Sequence, residues 1–373
     1  MPAVPPFCPN PACPHHLPVV KHERRRGSWY QRDGTYASKC LGKRIQRFVC
    51  KRCGRNFSAQ TFSLDYGVKK RIPYRRVFDQ INSGSGIRFL ARNLGVTGKV
   101  ITNRVSRLAR QAIGIHALLK NEFPLTEDLA ADGFESFTLS QYFPNNIHLA
   151  VGKKSQYLYG IDYAHIRRKG RMTDKQKLRR ETLEKQWKAP PGDLSASFSR
   201  LMRHIFRYRK ENEEAPLILY TDEKQEYRQV LEGVGGVRHL TVSSHVARTV
   251  RNDLFAVNYY DREIRKDQSN HVRETVEFSR DVNNAMDRLW MYSAYHNYVK
   301  PYRIGTKGGR IPTHAECAGI PSESIRRMWK RFFTRRFFVA HLDLSDSQWY
   351  SWYRCYATPL KREVAWYPRY AAA

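Results

Sequence analysis

The sequence predicts a multidomain α+β chain: a cysteine-rich ribbon, a short helical unit, an α/β unit on a mixed sheet, and a basic, aromatic end. Three observations predict it. Two close pairs of cysteines stand in the N-terminal stretch, apolar residues at helical spacing follow, and beyond residue 125 strand-type and helix-type segments alternate. Proline, glycine and shifts of pattern place the divisions at 1–66, 67–120, 125–303 and 304–373. A chain of 373 residues is also longer than one hydrophobic core usually serves.

Charge narrows the partners. The chain carries 66 Lys plus Arg against 34 Asp plus Glu, a formal +32, with 41% hydrophobic and 13% aromatic residues. That apolar content supports real cores and excludes a disordered chain. Such a cationic excess repels itself and answers an external polyanion, and double-stranded DNA is the expected one. No stretch approaches the roughly 20 apolar residues of a spanning helix, so no membrane partner is expected. The start, MPAVPPFCPN, lacks the features of a secretory signal, which points to a cytoplasmic, nucleoid-associated protein.

In a reducing interior, seven cysteines are expected as metal ligands or buried thiols. Cys8 and Cys13 (CPNPAC) and Cys50 and Cys53 (CKRC) form two knuckles, the pattern of a structural Zn²⁺ ribbon in which four thiolates surround one ion. His15, His16 and Cys40 are alternative ligands. Cys317 and Cys355 stand alone and are expected as simple buried thiols.

In GIRFLARNLGVTGKVITNRVSRLARQ, Ile87, Leu90, Ala91 and Leu94 share one helical face. Gly95 suits a tight turn and Thr97 an N-cap. A second helix then turns Ile101, Val105 and Leu108 inward, leaving Lys99, Thr102, Asn103, Ser106 and Arg110 outward as DNA-contacting types. This is a helix-turn-helix pattern, whose second helix enters the major groove. An ordinary helical hairpin with a solvated face is the alternative.

Further on, EDLAADGFESFTLS reads as a strand holding Asp132, and NNIHLAVGKKSQYLYGIDYAHIRRKG as a strand pair. LSASFSRLMRHIFRYRK reads as a helix, APLILYTD as a strand ending on Asp222, VRHLTVSS as another strand, and the stretch from Asp253 to Arg280 as a helix. That order fits a ribonuclease-H-like core, in which strand ends place two aspartates side by side and a later helix adds a third oxygen ligand. Two Mg²⁺ or Mn²⁺ ions need such an oxygen cluster to polarise a phosphate and activate a nucleophile. Asp162, in YGIDYAH, is the competing first acid. It falls on a later strand, so Asp132 is preferred.

The ribbon ending CxxCxxxF, the helix-turn-helix, the strand aspartate, the LYTD strand and the HNYVKPYR segment together resemble bacterial insertion-sequence transposases of the DDE class, over about residues 8–303. The resemblance implies a polynucleotidyl transferase with Asp132 and Asp222 as its first two metal ligands. At the third position this chain has Asn258, 35 residues intervening after Asp222, where many relatives have glutamate. Some related transposases are similar in carrying Asn there with a basic residue seven positions later, here Arg265. At 100° per helical residue, Arg265 lies about 20° from Asn258. Asp261, about 60° away, is a fallback ligand, and Glu263, about 140° round, a poorer one.

The reading that follows is a transposase that binds the terminal inverted repeats of its own element and target DNA as a homo-oligomer. A transposase-derived DNA-binding regulator and a nuclease without strand transfer are the alternatives. Residues 171–190 read as a charged inserted helix, and Tyr295, Tyr298 and Tyr302 as packing groups. SIRRMWKRFFTRRFF is expected to be a basic nucleic-acid surface or a helix docking on a second protomer.

Overall fold

The computed structural model describes residues 4–17, 29–209, 215–272, 276–303 and 309–362. Strands β1 (Tyr30–Ser38), β2 (Lys43–Cys50) and β3 (Asn56–Ser58) form an antiparallel sheet in sequence order. Its inward side chains, Ile45, Phe48 and Phe57, pack with Cys8, Cys13, Cys50 and Phe62. So small a sheet offers few apolar groups, and Phe338, from far along the chain, completes its core.

Helices α1 (Tyr74–Asn82), α2 (Ile87–Asn93) and α3 (Gly98–Glu122) follow. Leu90, Ala91, Ile101, Val105 and Leu108 are buried as their spacing predicts, together with Val77, Phe78 and Ile81 of α1. Gly95 turns the chain between α2 and α3 at a φ of +58°, a conformation that a side chain disfavours. Thr97 occupies the N-cap, but its side chain makes no capping hydrogen bond.

The second sheet is mixed. Its strands are β4 (Leu129–Thr138), β5 (Ser140–Gly152), β6 (Leu158–His165), β7 (Leu217–Thr221) and β8 (Val237–Thr241), in the spatial order β6-β5-β4-β7-β8. The first three are antiparallel neighbours, whereas β4 pairs with β7, and β7 with β8, in parallel. Every residue of β6 is buried, so both faces of the sheet are covered there.

Between β6 and β7 lie α4 (Asp174–Glu184) and α5 (Asp193–Phe206); α6 (Gln225–Leu231) joins β7 to β8, and α7 (Phe255–Asp267) follows. Helix α5 lies so close on β6 that a Cβ at Gly160 would come within 2.7 Å of Leu201 and His204. Helix α7 covers the opposite face, with the Arg265 guanidinium 4.5 Å from the Phe134 ring centre. Helix α7 is shorter than its sequence predicts. It stops at Asp267, a 3-10 turn covers Ser269–His271, and the chain enters α8 (Val282–Tyr298), which packs along α3.

The C-terminal region is not a tail. Helices α9 (His314–Cys317), α10 (Ser322–Phe332) and α11 (Asp346–Tyr353) fold back on the molecule. Met328 and Phe332 of α10 and Trp352 of α11 join one continuous core that runs from Leu64 to Tyr356. Gln111 on α3 donates to the carbonyls of Phe332 and Arg335 at 2.9 and 2.6 Å, and Arg110 to that of Trp352 at 3.0 Å. The aromatics of SIRRMWKRFFTRRFF therefore pack on this chain itself: Phe78 of α1 lies within 5.6 Å of Trp329, Phe332 and Phe333, ring centre to ring centre, and Phe338 packs in the ribbon. Among the described residues, no helix is long and apolar enough to cross a membrane.

Candidate functional site

The parallel register of β4 and β7 brings the two aspartates together. Leu129 lies opposite Leu219 and Ala130 opposite Tyr220. Two residues further along each chain stand Asp132 and Asp222, at matching positions on neighbouring segments. Both carboxylates reach one ammonium: Lys224 Nζ is 3.4 Å from Asp132 Oδ1 and 3.1 Å from Asp222 Oδ2. The two oxygens are thus no further apart than those distances combined.

Backbone amides fix both acids. Asp132 Oδ1 accepts from the Gly133 amide at 2.6 Å, and Asp222 Oδ1 from the Lys224 amide at 3.1 Å, the latter a local turn two residues long. Burial raises the Asp132 carboxyl above its ordinary range, the Lys224 charge opposes that, and the nearby Asp222 adds to it. Burial pulls the Lys224 ammonium down, but the charges of Asp132 and Asp222 outweigh it and hold the group above its ordinary value.

Side chains alternate across a strand, so pairing tells which face each occupies. Asp132 pairs with Leu149, whereas Gly133 pairs with His148, and His148 with Asp162. Asp162 therefore points to the opposite face from Asp132. There it is completely buried against α5, ion-paired with Arg200 at 2.8 Å and accepting from Ser197 at 3.1 Å. The competing first acid is a structural ion pair.

Helix α7 brings up the next residues. Asn258 stands in its first turn, partly exposed, on the helix that packs on β4. Asp261, one turn on, is tied more visibly to the acid pair. Burial and then the charge of Asp132 raise its carboxyl well above the ordinary range, while Arg265, Lys224 and Arg248 draw it back. Its Oδ1 is buried without a hydrogen-bond partner. Arg265 shares this neighbourhood but donates to the Glu135 carbonyl at 3.3 Å. Glu263 is buried and ion-paired with Lys300, which removes it as a ligand.

Sequence reasoning missed Lys224, Tyr227 and Arg248. Tyr227 is buried beside the acids, its ring centre 5.4 Å from Lys224 Nζ, and its hydroxyl has no partner. The signal for Lys224 was its position two residues beyond a strand-end aspartate, in YTDEK.

At the other end of the chain, Cys8, Cys13, Cys50 and Cys53 lie with all four sulfurs within 4.8 Å of one another. Cys8 and Cys53 are 3.6 Å apart, and Cys13 and Cys50 3.8 Å. Tetrahedral thiolates at about 2.3 Å from zinc are themselves about 3.8 Å apart, so this set can hold a metal ion such as zinc. Burial raises the Cys8 and Cys13 thiols. At Cys53 burial acts the same way, but amide donors, chiefly Arg55, overcome it and bring the thiol to about 6. The alternative ligands do other work: His16 Nδ1 sits 2.7 Å from the Cys8 carbonyl, and His15 stacks on Trp29. Cys40 is outside the cluster, and Cys317 and Cys355 are exposed rather than buried, at the ends of short helices. Among the described residues, no second group of three His, Cys, Asp or Glu ligands is gathered as closely.

On α3 the expected DNA face divides. Lys99 and Asn103 are exposed and Thr102 partly so. Ser106 and Arg110 are buried, contrary to expectation: Arg110 donates to Ser106 Oγ at 2.8 Å and to the Trp352 carbonyl, because α11 covers this face. Lys69, Lys70, Arg71, Arg88 and Arg92 are also exposed, and Lys70 donates to the Gly95 carbonyl in the turn before α3.

No protein-family model matches the chain, and no curated protein matches it either.

Proposed function

We propose that this protein is a DDE-type transposase, with a ribonuclease-H-like catalytic core, a zinc ribbon and a helix-turn-helix. One observation carries the reading: two aspartates at matching positions on adjacent parallel segments converge on a single cation. The strand order β6-β5-β4-β7-β8, three antiparallel then two parallel, supports the ribonuclease-H-like assignment.

The residues fit hard divalent cations. Asp132 and Asp222 supply carboxylate oxygens, Asn258 an amide oxygen, and Asp261 an oxygen with no other partner. Bound Mg²⁺ or Mn²⁺ would polarise the scissile phosphate and lower the pKa of the attacking hydroxyl. The chain's own groups orient and balance charge: Gly133 and Lys224 amides aim the carboxylates, and Arg265, held over Phe134 of β4, would offer its charge to a phosphate oxygen. In the first step water attacks phosphorus and the bond to the 3′ oxygen breaks, leaving a 3′ hydroxyl. In the second, that hydroxyl attacks a target phosphodiester; one phosphorus–oxygen bond forms and one breaks, so no external energy source is required.

The non-catalytic alternative has its own support, an amide at the third position and a lysine on the acid pair. Labelled element-end DNA incubated with protein and Mg²⁺ or Mn²⁺ separates the readings. Cleaved and joined products that vanish with Asp222→Ala support the transposase. Cleavage without joining supports a nuclease, and binding without chemistry a DNA-binding regulator.

A further inference from the structure

We propose that Lys224 is a tethered counter-cation, holding the divalent-metal position between Asp132 and Asp222 at rest and leaving it when a metal ion binds. The inference rests on the reading of those aspartates as metal ligands.

Four features of the site argue for it. The ammonium touches both acids, at 3.4 and 3.1 Å, so it is shared rather than paired. Those distances are loose for charge-assisted hydrogen bonds, which run to about 2.7–2.9 Å, so the lysine neutralises the pair without satisfying it. The side chain is 29% exposed, which leaves a way out toward solvent and DNA. The Tyr227 ring, its centre 5.4 Å from Nζ, makes a cation–π contact that helps hold the resting ammonium between the acids.

The physical logic is competition. Two carboxylates this close repel, and in the absence of metal one positive charge keeps them in place for a later ligand. A compact divalent ion brings twice the charge and takes oxygen ligands directly, so it displaces a monovalent group that cannot saturate either acid. Lys224 therefore preorganises the ligands while weakening metal binding. Once displaced, it is free to meet a phosphate oxygen of DNA, which couples metal loading to substrate.

The test is Mn²⁺ affinity of the full chain without DNA, read by electron paramagnetic resonance. Wild type, Lys224→Met, Lys224→Gln, Lys153→Met and Asp222→Asn are compared, with melting followed in each with and without Mn²⁺. Lys153 pairs with Asp253 and not with the acid pair, so it reports general loss of charge. The expected result is about tenfold or greater tightening in both Lys224 variants, with little change in Lys153→Met, for a close charge removed from a poorly screened site. Metal-free Lys224 variants should also melt lower than wild type and recover with Mn²⁺. Affinity that is unchanged, weaker, or shifted equally in Lys153→Met overturns the proposal while leaving the metal site intact. Absence of any Mn²⁺ binding that depends on Asp222 defeats the transposase reading itself. If Lys224→Met does not fold, Lys224→Gln gives the same decision.

Discussion

Aspartates of one chemical type do opposite work here according to the face they occupy. Asp162 is buried against the partly buried Arg200, so Asp162→Asn removes the counter-ion of that guanidinium and is expected to cost about 1–3 kcal/mol in denaturant unfolding, with Mn²⁺ affinity per folded molecule unchanged. Asp222→Asn is expected to do the reverse: Mn²⁺ binding and DNA cleavage are lost, and the metal-free protein melts no lower than wild type. Equal loss of stability in both variants would remove the distinction. Asp132 and Asp222 were legible because one lies within a strand-type segment and the other closes the apolar run LILYT. Lys224 went unread although it stands two residues beyond Asp222, since its contact with Asp132 spans 92 positions and depends on the register of β4 on β7, which no local pattern reveals. The electrostatic link between Asp261 and Asp132 was hidden for a similar reason: it depends on how α7 lies on the sheet.

Among the elements, strands and helices were read well where their periodicity was their own. The five strands of the second sheet and the apolar faces of α2 and early α3 follow directly from spacing. Helix α3 misled beyond Asn103, because an exposed face was inferred for a helix that α8, α10 and α11 surround. This gives a contrast on one helix. Lys99→Ala should lower DNA affinity across sequences without moving the melting temperature, flattening the salt dependence by about one phosphate's worth of slope. Arg110→Ala should destabilise the fold by about 1–3 kcal/mol through the polar groups it leaves unpaired. Gel-shift titrations over salt, with thermal melts, check both. In the ribbon, Cys50→Ser should release zinc and unfold β1–β3, seen as lost metal content and lost near-ultraviolet dichroism from Trp29 and its neighbours. Unchanged zinc would remove Cys50 from the ligand set.

Across the whole molecule, the largest departure from expectation is the C-terminal region, which the sequence presented as a tail because its aromatics are interleaved with Arg and Lys. Their partners lie on α1, α3 and the ribbon, over 200 positions away, and of the cations between them Arg326, Arg327, Lys330, Arg331 and Arg335 face solvent while Arg336 is buried. A chain ending at residue 303 should therefore expose the core around Phe78 and Gln111 and fail to fold cooperatively, which circular dichroism and gel filtration would report. The molecule also buries histidines at 116, 148, 204, 271, 296 and 314, and burial lowers the pKa of each, to about 4 at His116 and His314 and about 3 at His148, His204 and His271. Unfolded histidines take protons below about 6.5 while the buried ones do not, so stability falls as pH drops from there toward 4, by about 1.4 kcal/mol per pH unit per histidine. Melting temperatures at pH 7.5 and pH 5 should differ strongly, and a flat profile would contradict the burial. The central claim, that Asp132, Asp222 and the start of α7 surround one divalent-ion site, is tested most directly by loading the protein with Fe²⁺ and mapping where locally generated radicals cut its backbone. The account predicts cuts beside Asp132, beside Asp222 and near Asn258–Asp261, all suppressed by Mg²⁺; cuts confined to other segments, or none that Mg²⁺ suppresses, would contradict it.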